Sequence, residues 1–173
     1  RHTRLGCDWS SDVFSFFSSR RRHTRSACDW VQTCALPIFL CYIVGEFVIP
    51  KYPLLYPIHL IGILGLIISL FFFFSGFNIF TSYEENPAPT SPSERLIKTG
   101  IFAYTRNPIY LSFVFLHLSM FLVFENVMYL LSSIVQAIWI HNYVIKFEEE
   151  YLLGKFKDEY QRYMNTVSRW LFF

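Results

Sequence analysis

The sequence predicts an all-α fold, a multi-pass transmembrane helical bundle with a C-terminal amphipathic helix. Three observations carry that expectation. Of 173 residues, 53% are hydrophobic and 16% charged, where an ordinary soluble domain has roughly 25% charged residues. Residues 58–80 form a run of 23 whose strongly polar members are His59, Ser69, Ser75 and Asn78, and about 20 apolar residues suffice for a helix to cross the hydrocarbon core. Beyond Ile145 the chain turns charged, yet Leu152, Phe156, Tyr160, Tyr163 and Val167 recur three or four apart. That is the spacing of one helix face lying on, or tucked beneath, a membrane domain. The same composition excludes disorder, collagen-like repeats and a nucleic-acid-binding tail.

The first segment is set apart by an internal repeat. Arg1-His2-Thr3-Arg4 with Cys7-Asp8-Trp9 recurs 21 residues later as Arg22-His23-Thr24-Arg25 with Cys28-Asp29-Trp30. The continuations, Ser10-Ser11-Asp12-Val13 and Val31-Gln32-Thr33-Cys34, share no chemistry. They are nevertheless two reading frames of one nucleotide string: AGT TCA GAC GTG encodes the first, and GTT CAG ACG TGT encodes the second. Adding GCT CTT CCG ATC gives Ala35-Leu36-Pro37-Ile38. The string resembles a short-read sequencing adapter, so residues 1–38 are read as translated adapter and excluded from fold and function. Residues 39–173 are then a membrane domain whose beginning has been replaced. This moves the charge: residues 1–38 hold six arginines against three aspartates, and the remainder holds nine basic residues against ten acidic. Cys7, Cys28 and Cys34 leave with the segment. Cys28 and Cys34 lack the second pair that a metal site needs, and Arg20-Arg21-Arg22 as a membrane-surface patch is the weaker reading. Cys41 remains as a packing cysteine, and no metal site is expected.

Four apolar helices follow in order. Residues 35–49 are apolar except for Glu46 and read as a first helix, short because its start is missing. Residues 58–80 are the second. The connector 81–93, with Pro87, Pro89 and Pro92 among polar residues, is irregular. Residues 109–124 and 127–145 are parted by Glu125 and Asn126 alone, which predicts a tight helical hairpin. In this arrangement Arg95, Lys98, Arg106, Lys146, Lys155, Lys157, Arg162 and Arg169 lie on one side and Lys51 on the other. The positive-inside rule puts the first side in the cytosol.

The chemistry concentrates in Thr99-Gly100-Ile101-Phe102-Ala103-Tyr104-Thr105-Arg106-Asn107-Pro108-Ile109-Tyr110. Gly100 permits a turn, and Pro108 suits the first position of a helix. Arg106 is then presented with free backbone amides at a helix start, a setting for a carboxylate or phosphate. The competing reading has Arg106 snorkelling to headgroups and Tyr104 and Tyr110 in an interfacial belt. At the end of the fourth helix stand His141, Asn142, Lys146 and Glu148-Glu149-Glu150. His141 and Glu148, seven apart, share a helix face. Hairpin topology brings Arg106 and Glu148 to one end, a cationic and an acidic anchor for an amphoteric ligand carrying a cation.

These residues resemble those of the isoprenylcysteine carboxyl methyltransferase and phospholipid N-methyltransferase family. The blocks LIKTGIFAYTRNPIYLS, EEEYLLGKFKDEYQRY and VSRW carry the likeness from about Leu55 to the C-terminus. The resemblance implies a helical membrane bundle that binds S-adenosylmethionine between the last membrane helices and the C-terminal helix. The acceptor would be a membrane lipid or prenylated substrate, taken from the bilayer. It implies cofactor contacts from Leu96, Ile97, Phe102, Tyr104, Asn107, Pro108, Ile109, Tyr110, His141 and Glu148. Catalytic work would fall to Arg106, Tyr110, Glu148 and Glu149, under a cover of Leu152, Phe156, Tyr160 and Tyr163. The chain departs from the family at Asn107, usually His in the carboxyl methyltransferases, at Ser112 and Lys157, usually Gly, and at Val144, an Arg in some members. Two alternatives stay open: a nicotinamide-dependent membrane reductase, because sterol reductases resemble this family around the Arg-x-Pro-x-Tyr turn, and a catalytically inactive membrane protein.

Overall fold

A computed structural model describes residues 36–47, 51, 53–85 and 94–171, and the repeat and the connector prolines lie outside them. Every regular element among the described residues is helical. The elements are α1 (Leu36–Phe47), α2 (Tyr56–Ser82), a 3₁₀ turn (Gly100–Ala103), α3 (Pro108–Phe124), α4 (Val127–Trp139), a π-helical turn (Ile140–Ile145) and α5 (Lys146–Thr166). Helix α1 begins at Leu36, inside the last residues of the segment set aside above.

Helix α2 is apolar around its whole circumference and buries small residues, Gly62, Ser69 and Gly76. Removing side chains from one stripe lets a second helix approach closely. An added Cβ at Gly62 would meet Leu122 and Val123, and one at Gly76 would meet Ile109. The Ser69 hydroxyl donates to the Ser112 carbonyl at 2.9 Å, tying α2 to α3. The large side chains point outward: Leu60, Ile61, Ile67, Phe71 and Phe74 on α2, and Leu131, Ile134, Val135 and Ile138 on α4, are all exposed. Two helical stretches, Tyr56–Ser82 and Val127–Thr166, are long and apolar enough to cross a membrane. In the second of them the apolar run ends at Ile145, and the charged helix α5 lies beyond it.

The two-residue hairpin has a specific construction. Glu125 takes the left-handed conformation that ends α3 (φ 58°). Asn126 caps α4 by accepting from Met128 N–H at 2.9 Å and donates to the Cys41 carbonyl at 3.2 Å, pinning α1 beside the turn. Glu125 also accepts from Leu54 N–H at 2.7 Å and lies 3.1 Å from His59. These groups gather at one end of the bundle. At the other end, Gly100 has φ 61° with Ile79 packed against it, so the turn expected there requires glycine. The Glu85 carboxylate accepts from Glu94 N–H and Arg95 N–H, both at 2.9 Å, bringing the connector's ends together.

One expected spacing changes. The chain passes from α4 to α5 through the π turn, whose wider winding means that seven residues no longer return to the same face. His141 and Glu148 therefore diverge: His141 meets the C-terminal segment, while Glu148 faces the cleft described next.

Candidate active site

At the connector end, a cleft of about 500 Å³, counting its mouth open to solvent, lies between the 3₁₀ turn, the start of α3 and α5. Phe80, Arg95, Leu96, Ile97, Phe102, Arg106, Asn107, Ile145, Glu148, Glu149, Leu152, Tyr160 and Tyr163 line it. The local sequence explains how these meet. Asn107 occupies the cap position of α3 without capping it, and its side-chain amide donates to the Arg169 carbonyl at 3.0 Å. Pro108 follows at the helix start, buried with Ile109 and Tyr110. The turn thereby points Arg106 sideways into the cleft.

Arg106 has a side chain 9% exposed, and its Nη1 lies 2.8 Å from Glu149 Oε1. That contact is an ion pair off the line of the N–H bonds, since neither Nε nor Nη1 has a hydrogen-bond partner. Buried donors in that condition are rare and costly. Glu149 is 6% exposed and also receives Arg169, whose Nε approaches Oε1 at 3.1 Å and whose Nη2 approaches Oε2 at 2.5 Å.

Glu148 differs from its neighbour. No cation pairs with it among the described residues; its partner is the Tyr110 hydroxyl, which donates at 3.3 Å. Burial, partly opposed by that hydrogen bond and reinforced by the Glu149 charge, pushes its carboxyl up to about 7. Burial likewise raises the Tyr160 hydroxyl to about 12, with the Glu149 charge adding and Arg106 opposing. The Tyr163 hydroxyl is raised by burial too; it donates to the Phe102 carbonyl at 2.6 Å, clamping α5 onto the 3₁₀ turn.

The structure thus brings Leu96, Ile97, Phe102, Arg106, Asn107, Glu148 and Glu149 together around one cleft. Tyr110 joins them through Glu148. Tyr104 is 72% exposed and is not among the lining residues. Pro108 and Ile109 pack against α2 at Gly76, behind the cleft. His141 is turned toward Arg169 and Trp170, each 3.1 Å from one of its ring nitrogens. Of the departures, Val144 packs against the apolar core, and Lys146 reaches toward Asn142 at 3.5 Å.

Arg169 is what reading the sequence missed. The closing VSRW block carries no role in the sequence alone, because nothing in its spacing tells which element it will dock on. In space, the Arg106 N–H donates to the Ser168 carbonyl at 3.0 Å, and the block lies along the Arg-x-Pro-x-Tyr turn.

The family profile described as phospholipid methyltransferase matches residues 58–159, the span from α2 through most of α5. The chain belongs to the phospholipid methyltransferase family. Membership implies methyl transfer to a lipid-like substrate. For this phospholipid methyltransferase family member, a protein of Haemophilus influenzae described as uncharacterized is 40% identical over 63 residues, 36% of this chain and 100% of that relative. No solved structure matches it.

Proposed function

We propose that the chain is an integral, multi-pass membrane enzyme that uses S-adenosylmethionine to methylate a lipid-like acceptor, a prenylcysteine carboxylate or a phospholipid amine, in the cleft beside Arg106. The observation that carries the reading is the pair of Arg106 donors, Nε and Nη1, buried in the cleft without hydrogen-bond partners. A ligand carboxylate that accepts from either of them makes a charge-assisted bond, and bonds of that kind are strong. The remaining lining suits the rest of such a ligand: Phe80 and Phe102, whose centroids are 5.4 Å apart, offer ring faces to a cation, and Glu148 offers a carboxylate.

Bound there, S-adenosylmethionine would supply an electrophilic methyl group to an in-line nucleophile, its C–S bond breaking with the neutral thioether S-adenosylhomocysteine as leaving group. Arg106 holds the carboxylate end. Tyr110 fixes the orientation of Glu148 through its hydroxyl. Glu148 takes the proton that an amine acceptor must lose, its affinity for protons being suited to that work near neutral pH. A carboxylate acceptor is already ionised and needs no base. Asn107 cannot titrate, and its amide is committed to the C-terminal segment. Orientation and exclusion of water by Leu152, Tyr160 and Tyr163 supply the rest of the acceleration.

The outward apolar faces of α2 and α4 support a bilayer setting, since soluble monomers rarely expose apolar patches larger than a few hundred Å². The basic residues at the cleft end support a cytosolic orientation, where a soluble methyl donor is available.

The test is transfer of a radiolabelled methyl group by protein purified in detergent, with total lipid extract and prenylcysteine analogues as acceptors. Label in one acceptor class is expected, and Arg106→Ala lowers S-adenosylmethionine affinity at least tenfold while retaining the wild-type melting temperature. Absence of both label and cofactor binding in the wild type overturns the reading.

A further inference from the structure

Resting on that reading of the cleft, we propose that Arg169 is a positioning residue: by occupying both oxygens of Glu149 from the C-terminal segment, it keeps the Arg106 guanidinium free for the ligand. Two arginines compete for one buried carboxylate. Arg169 holds it through a two-pronged contact, Nε to Oε1 at 3.1 Å and Nη2 to Oε2 at 2.5 Å, the geometry in which a guanidinium binds a carboxylate best. Arg106 is left with a single off-axis approach to Oε1. Its Nε and Nη1 remain without a hydrogen bond, Nη1 holding only that ion pair.

Removing the Arg169 guanidinium leaves a buried carboxylate with one oxygen bare, an expensive condition. The nearest cation is Arg106. Rotation of its planar group onto Glu149 satisfies the carboxylate and withdraws from the cleft the donors a ligand would use. Affinity then falls although no residue touching the ligand has been changed.

The C-terminal segment has attachments that do not need the guanidinium. The Arg169 carbonyl accepts from Asn107 Nδ2 at 3.0 Å and Thr105 Oγ1 at 3.3 Å, and Ser168 holds the Arg106 amide. The contact with His141 is secondary. A neutral imidazole carries its proton on one of its two nitrogens, so His141 accepts from Arg169 or from Trp170 and not from both.

Isothermal titration of purified protein in detergent with S-adenosylmethionine and S-adenosylhomocysteine decides the matter. Arg169→Ala is expected to weaken binding at least tenfold with the melting temperature held within about 2 °C, and millimolar ethylguanidinium restores affinity. Arg169→Lys, which keeps the charge without the fork, gives an intermediate loss. In a Glu149→Gln background the further effect of Arg169→Ala shrinks to under threefold, because a neutral amide does not draw Arg106 away. Binding by Arg169→Ala within twofold of wild type overturns the proposal, as does a loss that tracks a falling melting temperature and resists ethylguanidinium. Wild-type protein that binds neither ligand overturns instead the function proposed for the cleft.

Discussion

Glu148→Gln separates the cost of the cleft from its use. The carboxyl is raised from 4.5 to about 7, chiefly by burial. In the unfolded chain the carboxyl ionises near its ordinary value. Below that value both states hold the proton and the residue costs nothing. Between the two values the unfolded state loses its proton first, so stability falls with rising pH, and above about 7 the penalty is complete. At about 1.4 kcal/mol per unit, the shift corresponds to roughly 3 kcal/mol at alkaline pH. At pH 5 the residual penalty is about 1 kcal/mol. A glutamine side chain has no charge to desolvate, so the variant gains on wild type by about 2–3 kcal/mol between pH 5 and pH 8.5. Thermal unfolding of both proteins in one detergent across that range reads the difference, and the two curves should diverge upward with pH. The same substitution lowers affinity for a ligand carrying a cation, so the stabler protein binds less well. Parallel curves, or a variant less stable at pH 8.5, would refute the assignment of Glu148 as a partly buried carboxyl without a cationic partner.

Two backbone features give further tests in the same assay. Lys157 sits inside α5 at φ 45°, ψ −120°, a region that only glycine adopts without strain; such strain costs about 1–3 kcal/mol, and glycine's extra flexibility takes back about 0.5–1 kcal/mol. Lys157→Gly is expected to raise stability by about 1 kcal/mol, some 2–4 °C, and an unchanged or lower melting temperature counts against that backbone conformation. A glycine pair tests packing: a Cβ at Gly62 meets Leu122 and Val123 whereas one at Gly154 meets nothing within 4 Å. Gly62→Ala is expected to cost about 1–3 kcal/mol through overpacking, and Gly154→Ala to gain up to about 1 kcal/mol from helix propensity; equal effects would show that α2 and α3 are not in close contact.

At Lys157 sequence and structure inform each other. The resemblance marks this position as one where relatives carry glycine, and the positive φ supplies the reason. At Gly100 the local sequence suffices, since the turn expected before α3 does adopt a positive φ. The two-residue hairpin was equally legible, because Glu125 and Asn126 are the interruption in a long apolar run and asparagine is a good helix-starting residue.

The division between His141 and Glu148 was not legible. Their spacing of seven is a same-face spacing only in a regular α-helix, and the π turn between them has no signal in side-chain type. Nor could sequence distance identify Arg169 as the partner of Glu149, twenty residues away. That pairing depends on α5 ending at Thr166 and the chain then laying Ser168 and Arg169 along the Arg106 turn.

The sequence by itself determined the helices, their apolar character and the cluster of chemistry-bearing residues before α3 and after α4. These properties are local: periodicity, glycine, proline and runs of apolar residues act within a few turns of chain. Tertiary structure alone decided which glutamate is neutralised and which is left without a cation. Two adjacent carboxylates of the same kind, Glu148 and Glu149, differ because Arg106 and Arg169 converge on one of them while burial beside Tyr110 surrounds the other. Charge and solvation around a side chain are set by whatever folds against it, and the residues that do so here come from two separate parts of the chain, the turn at the start of α3 and the C-terminal segment.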